Sequence, residues 1–366
     1  MTLKEAETTK TVRQPIDEHD QHASRHGKAP KLERFFEAMV KADASDLHFK
    51  AGTPPHMRRN AILVKTSEPE LDGDEILEMA YEIMTDKQRA YFEQHGTIDL
   101  AHELEGSDRF RLNIFRQRGD VSIAVRRVTR RIPEFEELHL PPVVGKIAER
   151  QQGLVLLAGP SGCGKSTTIA SMLEHINRTR PCHIVTIEDP IEYIYEDKKA
   201  LVSQRAVGID VESFDTAMKY LMREDPDVVL VGEMRDLETM MAAITAAETG
   251  HLVFATVHTT GAQGTINRII DAFPIDQQEQ IRVQLSVTLI AVISQALLPR
   301  ASGDGLIAAF EFMYCTPAIQ NLIRENKVYR IESSIQTGKK YGMILLDDHL
   351  FQLYERGLIT EQDALF

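Results

Sequence analysis

The chain has 366 residues, 43% of them hydrophobic and 27% charged, which suits two domains of ordinary globular composition. Its 55 acidic against 42 basic residues give a formal net charge of −13, which weighs against a phosphate-backbone binder as a whole and leaves room only for a local basic patch. The three cysteines, Cys163, Cys182 and Cys315, form no C-x-x-C pair, so they supply no zinc framework and fit a reducing cytoplasm.

In chain order, residues 1–30 are polar and charged, and read as a disordered extension without the apolar run of a secretory signal. A mixed α+β segment, 31–129, follows. LERFFEAMVKA predicts a helix and DLHFK a strand, and a second strand comes after the Pro-Pro turn of TPPHMRRNAILVK. DGDEILEMAYEIMT and DKQRAYFEQHG predict helices, and RFRLNIFRQRGDVSIAVRRV two antiparallel strands turning at Arg118-Gly119-Asp120. Prolines and acidic residues mark 130–142 as a linker.

From 143 onward strands and helices alternate. Strands are predicted at 154–158, 183–187, 228–231 and 252–257, with helices after 165, over 213–224, and from about Leu237 to Thr249-Gly250. That alternation predicts an α/β fold with a mostly parallel sheet covered on both faces. Residues 265–366 read as a mainly helical C-terminal region, and no internal repeat is visible. The apolar stretch 281–298 is interrupted by Arg282, Gln284, Ser286, Thr288, Ser294 and Gln295, so it reads as a buried helix and not as a membrane span.

Chemistry enters at GPSGCGKS, which fits the phosphate loop G-x-x-x-x-G-K-[ST]. The cradle is Gly159, Pro160, Ser161, Gly162, Cys163, Gly164, Lys165, Ser166 and Thr167. Glycines let successive N–H groups turn toward phosphates, Lys165 reaches the β and γ phosphates of ATP, and the Ser166 hydroxyl ligates Mg²⁺. A buried strand precedes the loop, and Ile169, Met172, Leu173 and Ile176 give the following helix one apolar face. A helix N-terminus at that point attracts anions.

EDPIE (188–192) follows the next strand and gathers Glu188, Asp189 and Glu192 where ligands of open α/β sheets bind. By itself such a turn is more often solvated surface. VVLV ends in Gly232-Glu233, with glycine where an ordinary phosphate-loop enzyme keeps an aspartate for Mg²⁺. Hydrolysis needs a metal clamp and a group that orients water, and Glu192 and Glu233 can divide those tasks either way. His251 and His258 bracket the strand LVFATV. Their odd spacing puts them on opposite faces, so one shared metal is not expected, and His258 is the one at the carboxyl end.

Together these motifs resemble the secretion-ATPase superfamily. MREDPDVVLVGEMRD resembles its signature, EDPIE its acid box and ETGHLVFATVHT its histidine box; the resemblance extends over about 31–366. It is greatest to the pilus-retraction, PilT-type branch, through SDLHFKAGTPPHMR, TPAIQNLIREN and QTGKKYGMILLDDHLFQLYERGLIT. The resemblance implies a PAS-like N-terminal domain joined to a RecA-like core. It also implies a cytoplasmic homo-hexamer, peripheral at the inner-membrane pilus base, working with a membrane platform protein and sometimes a companion retraction ATPase. It gives Glu192 the water-polarising role and Glu233 the Walker B role, and points to Arg111 and Arg127 as fingers reaching a neighbouring nucleotide, with Arg126 as a rival. Gln320 departs from the family motif, which carries arginine there.

Three other readings rank lower. An assembly or export ATPase of the same superfamily generally carries paired zinc cysteines, absent here. A RecA-like nucleic-acid translocase would want a basic, aromatic-lined channel. A non-catalytic adaptor would not need every catalytic residue type.

Overall fold

A computed structural model describes residues 30–59, 62–104, 108–303 and 305–365. Apart from Pro30, the extension expected to be disordered lies outside the described residues. The described residues form two compact units, one taking those up to residue 57 with 64–104 and 110–126, the other taking the rest of them.

In the N-terminal part the elements run α1 (Glu33–Lys41), β1 (Asp46–Lys50), β2 (His56–Arg59), β3 (Ile62–Lys65), α2 (Gly73–Glu82) and α3 (Asp86–His95). They continue with β4 (Thr97–Glu103), β5 (Arg109–Gln117) and β6 (Asp120–Val128). The strands order as β3-β2-β1-β6-β5-β4, with β1 antiparallel to β6 and Phe49 opposite Ile123. Period-two alternation buries Phe110, Leu112 and Ile114 on β5, beside Val121, Ile123 and Val125 on β6. Capping boxes at Asp72/Glu75 and Thr85/Gln88 start α2 and α3 by satisfying otherwise unpaired N–H groups. The alternation in TIDLAHE is weak, and β4 was not predicted.

The larger part begins α4 (Val143–Ala148), β7 (Gly153–Ala158), α5 (Lys165–Thr179), β8 (His183–Glu188), β9 (Leu201–Ala206) and α6 (Phe214–Leu221). There follow β10 (Val228–Val231), α7 (Leu237–Glu248), β11 (Leu252–Val257), α8 (Gly261–Asp271) and α9 (Gln278–Thr288). It ends with β12 (Leu289–Pro299), β13 (Leu306–Tyr314), α10 (Pro317–Arg324), α11 (Ile331–Thr337), α12 (Leu346–Glu355) and α13 (Glu361–Ala364). The sheet order is β13-β12-β7-β11-β10-β8-β9, all parallel except β13. Its central strands are apolar throughout because both faces are covered. On β7, Leu154, Leu156 and Ala158 join one core with α7, α8 and α9, while Val155 and Leu157 join the other with α4 and α5.

Two expectations are corrected. Residues 281–298 are not one buried helix: α9 ends at Thr288 and the chain continues as β12, parallel to β7 and antiparallel to β13. A fully buried run such as LIAVISQALL has no polar face to reveal its period, so sequence cannot separate strand from helix there. The region after 265 is accordingly mixed, with two long strands among its helices. The polar residues of β12 have partners: Ser294 Oγ accepts from Gly261 N–H at 3.0 Å, and Gln295 Oε1 accepts from Thr168 Oγ1 at 2.9 Å.

Candidate active site

Four neighbouring strands, in the spatial order β7-β11-β10-β8, deliver at their carboxyl ends the phosphate loop, His258, Glu233 and the acid box. Chain order scatters these motifs over a hundred residues, and the parallel sheet sets them in a row.

The loop after β7 has left-handed φ at Gly159, Gly162 and Gly164. At Gly164 a side chain is excluded twice over: φ is 92°, and a Cβ would lie 2.6 Å from Gln295 Nε2. Gln295 thus packs beneath the loop while holding Thr168 in the first turns of α5. No motif flags it, because β12 itself was not predicted. Lys165 is buried, with Nζ 2.7 Å from Gly159 O and 2.9 Å from Pro160 O, and Cys163 is buried beside it. Pro160, Ser161 and Gly162 form the exposed tip, and Ser166 is half-buried. The 15-residue α5 starts at Lys165 without a side-chain cap, so the N–H groups of Lys165, Ser166 and Thr167 have no capping side chain. An open helix end, a glycine-rich turn and a lysine fit a triphosphate, and the Ser166 hydroxyl fits one of the few protein ligands Mg²⁺ takes beside phosphates.

Gly232 after β10 has its own explanation. Its N–H bonds Ile187 O at 2.8 Å, and a Cβ would meet that oxygen at 3.0 Å and Glu188 Cα at 3.2 Å. The carboxylate is therefore carried one residue later, at Glu233. Glu233 Oε2 lies 2.6 Å from Arg235 Nη2, and Oε1 lies 3.1 Å from His258 Nε2. Partial burial works to raise the Glu233 pKa, but Arg235 and then His258 outweigh it and hold the carboxyl below its ordinary range.

Glu188 ends β8 and is buried. Thr186 Oγ1 donates to it at 2.7 Å, Gln204 Nε2 at 3.3 Å and the Glu192 N–H at 3.4 Å. Burial raises its pKa against those donors. It faces inward as the support of the acid loop, whereas Glu192 is exposed. The Tyr193 hydroxyl, absent from the sequence reading, lies 2.8 Å from Thr167 Oγ1.

The structure does not bring His251 to this row. Its Nδ1 lies 2.9 Å from Ala246 O, closing the end of α7, and the length of β11, about 20 Å, separates it from His258. Arg127 Nε is bonded to Asp108, whose other oxygen accepts the Arg130 N–H at 3.0 Å. Arg126 pairs with Asp46 at 3.0 Å, and Arg111 lies on the β5 face opposite Phe110 and Leu112. Gln320, which departs from the family motif, is not on open solvent. It is half-buried and lines a cavity of about 220 Å³ with Arg150, Gln152, Glu248 and Thr288, at the strand ends opposite the phosphate loop. Among the described residues no three His, Cys, Asp or Glu side chains cluster as a metal site, and no helix is long and apolar enough to cross a membrane.

Fold and site define a RecA-like P-loop core. The chain belongs to the type II/IV secretion system protein family, whose profile matches residues 22–307. It is 47% identical over 325 residues to the type IV pilus retraction ATPase PilT of Pseudomonas aeruginosa, covering 89% of this chain and 94% of that one. A twitching motility protein of Neisseria gonorrhoeae is 45% identical over 310 residues, with 85% and 83% covered. A crystal structure of the pilus retraction motor PilT with bound ADP matches with a TM-score of 0.83 at 46% identity, over 92% of this chain and 96% of that one.

Proposed function

We propose that this chain is an ATP-hydrolysing motor that drives type IV pilus retraction, working as a homo-hexamer in the cytoplasm at the inner-membrane pilus base. The observation that carries the hydrolytic part is the row itself. A phosphate loop with an open helix end stands beside a glutamate held anionic by Arg235 and His258. The likeness to PilT over nearly the whole chain carries the pilus part.

In this reading the N–H groups of the loop and Lys165 bind the phosphates, and Ser166 with Glu233 holds Mg²⁺. The ion, when bound, neutralises charge that builds on the phosphate oxygens. Glu192 orients the attacking water, being exposed on the neighbouring loop, while Glu233 is already engaged by two cationic or polar partners. His258, paired with Glu233 at the carboxyl end of β11, is placed to sense a γ-phosphate. An arginine of the β5–β6 hairpin completes the site of a neighbouring subunit, since a guanidinium stays charged at any working pH.

Lys165→Ala tests the hydrolytic claim. Purified protein should lose turnover by about a thousandfold or more, because the loop's own cation is gone. Turnover near that of the unaltered protein sinks the assignment. In cells, deleting the gene should leave pili accumulated on the surface, and normal retraction would overturn the pilus reading.

A further inference from the structure

The segment between β8 and β9 lies along α5 and is fastened at both ends of the helix. At the far end Asn177 Nδ2 donates to Glu196 O at 2.8 Å, Asn177 Oδ1 accepts from Lys198 N–H at 3.1 Å, and Asn177 O accepts from Lys199 N–H at 2.9 Å. Glu174 beside it pairs with Arg178 and Lys198. At the near end Tyr193 shares its hydrogen bond with Thr167 at 2.8 Å, in the first turn of α5. Gln204 Nε2 holds Tyr193 O at 2.8 Å. Glu192 therefore stands between two anchors, its own N–H on Glu188 and the next side chain on Thr167.

We propose that Tyr193 is a positioning residue for hydrolysis: its hydroxyl on Thr167 locks the acid loop to the phosphate-binding helix and fixes Glu192 over the reacting end of the site. The inference rests on the reading of Glu192 as the residue that orients water. An exposed glutamate on an unanchored loop would spread over many rotamers and backbone positions, and water attack tolerates little misplacement. The Asn177 anchor lies ten residues along the helix from Thr167 and cannot by itself set the loop's near end. Burial, with the charge of Glu192, pushes the Tyr193 hydroxyl above its ordinary pKa against the Thr167 bond, so it remains a neutral donor and acceptor.

The test is steady-state ATPase and fluorescent-ATP binding on the full chain. Tyr193→Phe removes only the hydroxyl, and it should lower kcat by about tenfold with KM and nucleotide Kd within about twofold. Thr167→Val, which removes the partner hydroxyl, should lower kcat as well. The pair Tyr193→Phe/Thr167→Val should be no slower than the slower single variant, as expected when both remove one contact. Tyr193→Phe at full turnover, with Glu192→Gln inactive, overturns the latch and leaves the Glu192 reading standing. Glu192→Gln at full turnover overturns both. A fall in kcat matched by an equal loss of nucleotide affinity also overturns the latch, by making the hydroxyl part of the binding site.

Discussion

Glu233 shows how one side chain is tuned by its immediate neighbours. Desolvation favours its neutral form, and Arg235 with His258 more than reverses that. Glu233→Gln keeps the shape and loses the charge, leaving both partners facing an amide. We expect ATP still to bind within a few-fold of normal while single-turnover hydrolysis falls by about a hundredfold or more. Wild-type turnover would make the carboxylate a surface ion pair only. At this scale the motifs single out Lys165, Ser166, Glu192, Glu233 and His258 as candidates. They give no role to Gln295 or Tyr193, whose importance comes from what lies against them.

Among the elements, α12 covers the outer edge of the sheet, and a histidine makes that contact. The Phe310 N–H of β13 donates to His349 Nδ1 at 2.8 Å, and the two rings stack with centroids 5.6 Å apart. Burial, then the charge of Arg356, lowers the His349 pKa to about 4. The unfolded chain takes up that proton near the ordinary value of about 6.5. Between these values the unfolded state binds more protons, so the contribution is fully present above pH 6.5 and is lost as pH falls toward 4. The whole shift corresponds to about 3 kcal/mol. Thermal melts from pH 7 to 4 should show a stability loss that His349→Gln reduces. Identical pH slopes for the two proteins would remove His349 from the account.

At the scale of the assembled molecule, the proposed trans arginine has three candidates, Arg111, Arg126 and Arg127, and the last two differ in their surroundings. Arg127 has 15% of its side chain exposed and is tied to Asp108, while Arg126 has 71% exposed. Exposure favours Arg126 as the group a neighbouring subunit can meet. Mixing the Lys165→Ala protein with Arg126→Ala, and separately with Arg127→Ala, should restore activity in the pair that lacks the true finger, because a hybrid interface unites an intact loop with an intact arginine. If neither mixture exceeds the sum of its parts in rings shown to be mixed, neither Arg126 nor Arg127 is a trans finger. The coupling of hydrolysis to pilus work belongs to this scale as well. On α10 Ile319 and Ile323 are buried, and Asn321 and Arg324 are exposed. Arg324→Ala should form rings and hydrolyse ATP at near-normal rates yet fail to retract pili. Loss of both in equal measure would place the residue in the catalytic or structural machinery.

The sequence by itself determined the strands β7, β8, β10 and β11 with the helices α5, α6 and α7 between them, and the phosphate-loop motif, while β4 and β9 escaped it. These are local properties: glycine spacing, period-two and 3.6-residue patterns, and carboxylates at strand ends are written within a few residues of one another. Only the tertiary structure decided that LIAVISQALL is a strand and that His251 closes a helix far from His258. It also decided that Gly232 is small because Ile187 and Glu188 lie against it, and that Tyr193 meets Thr167. Each of those facts is a contact between segments distant along the chain. A buried apolar run has no periodicity to read, and a tight approach or a hydroxyl pair exists only once the sheet has brought its partners together.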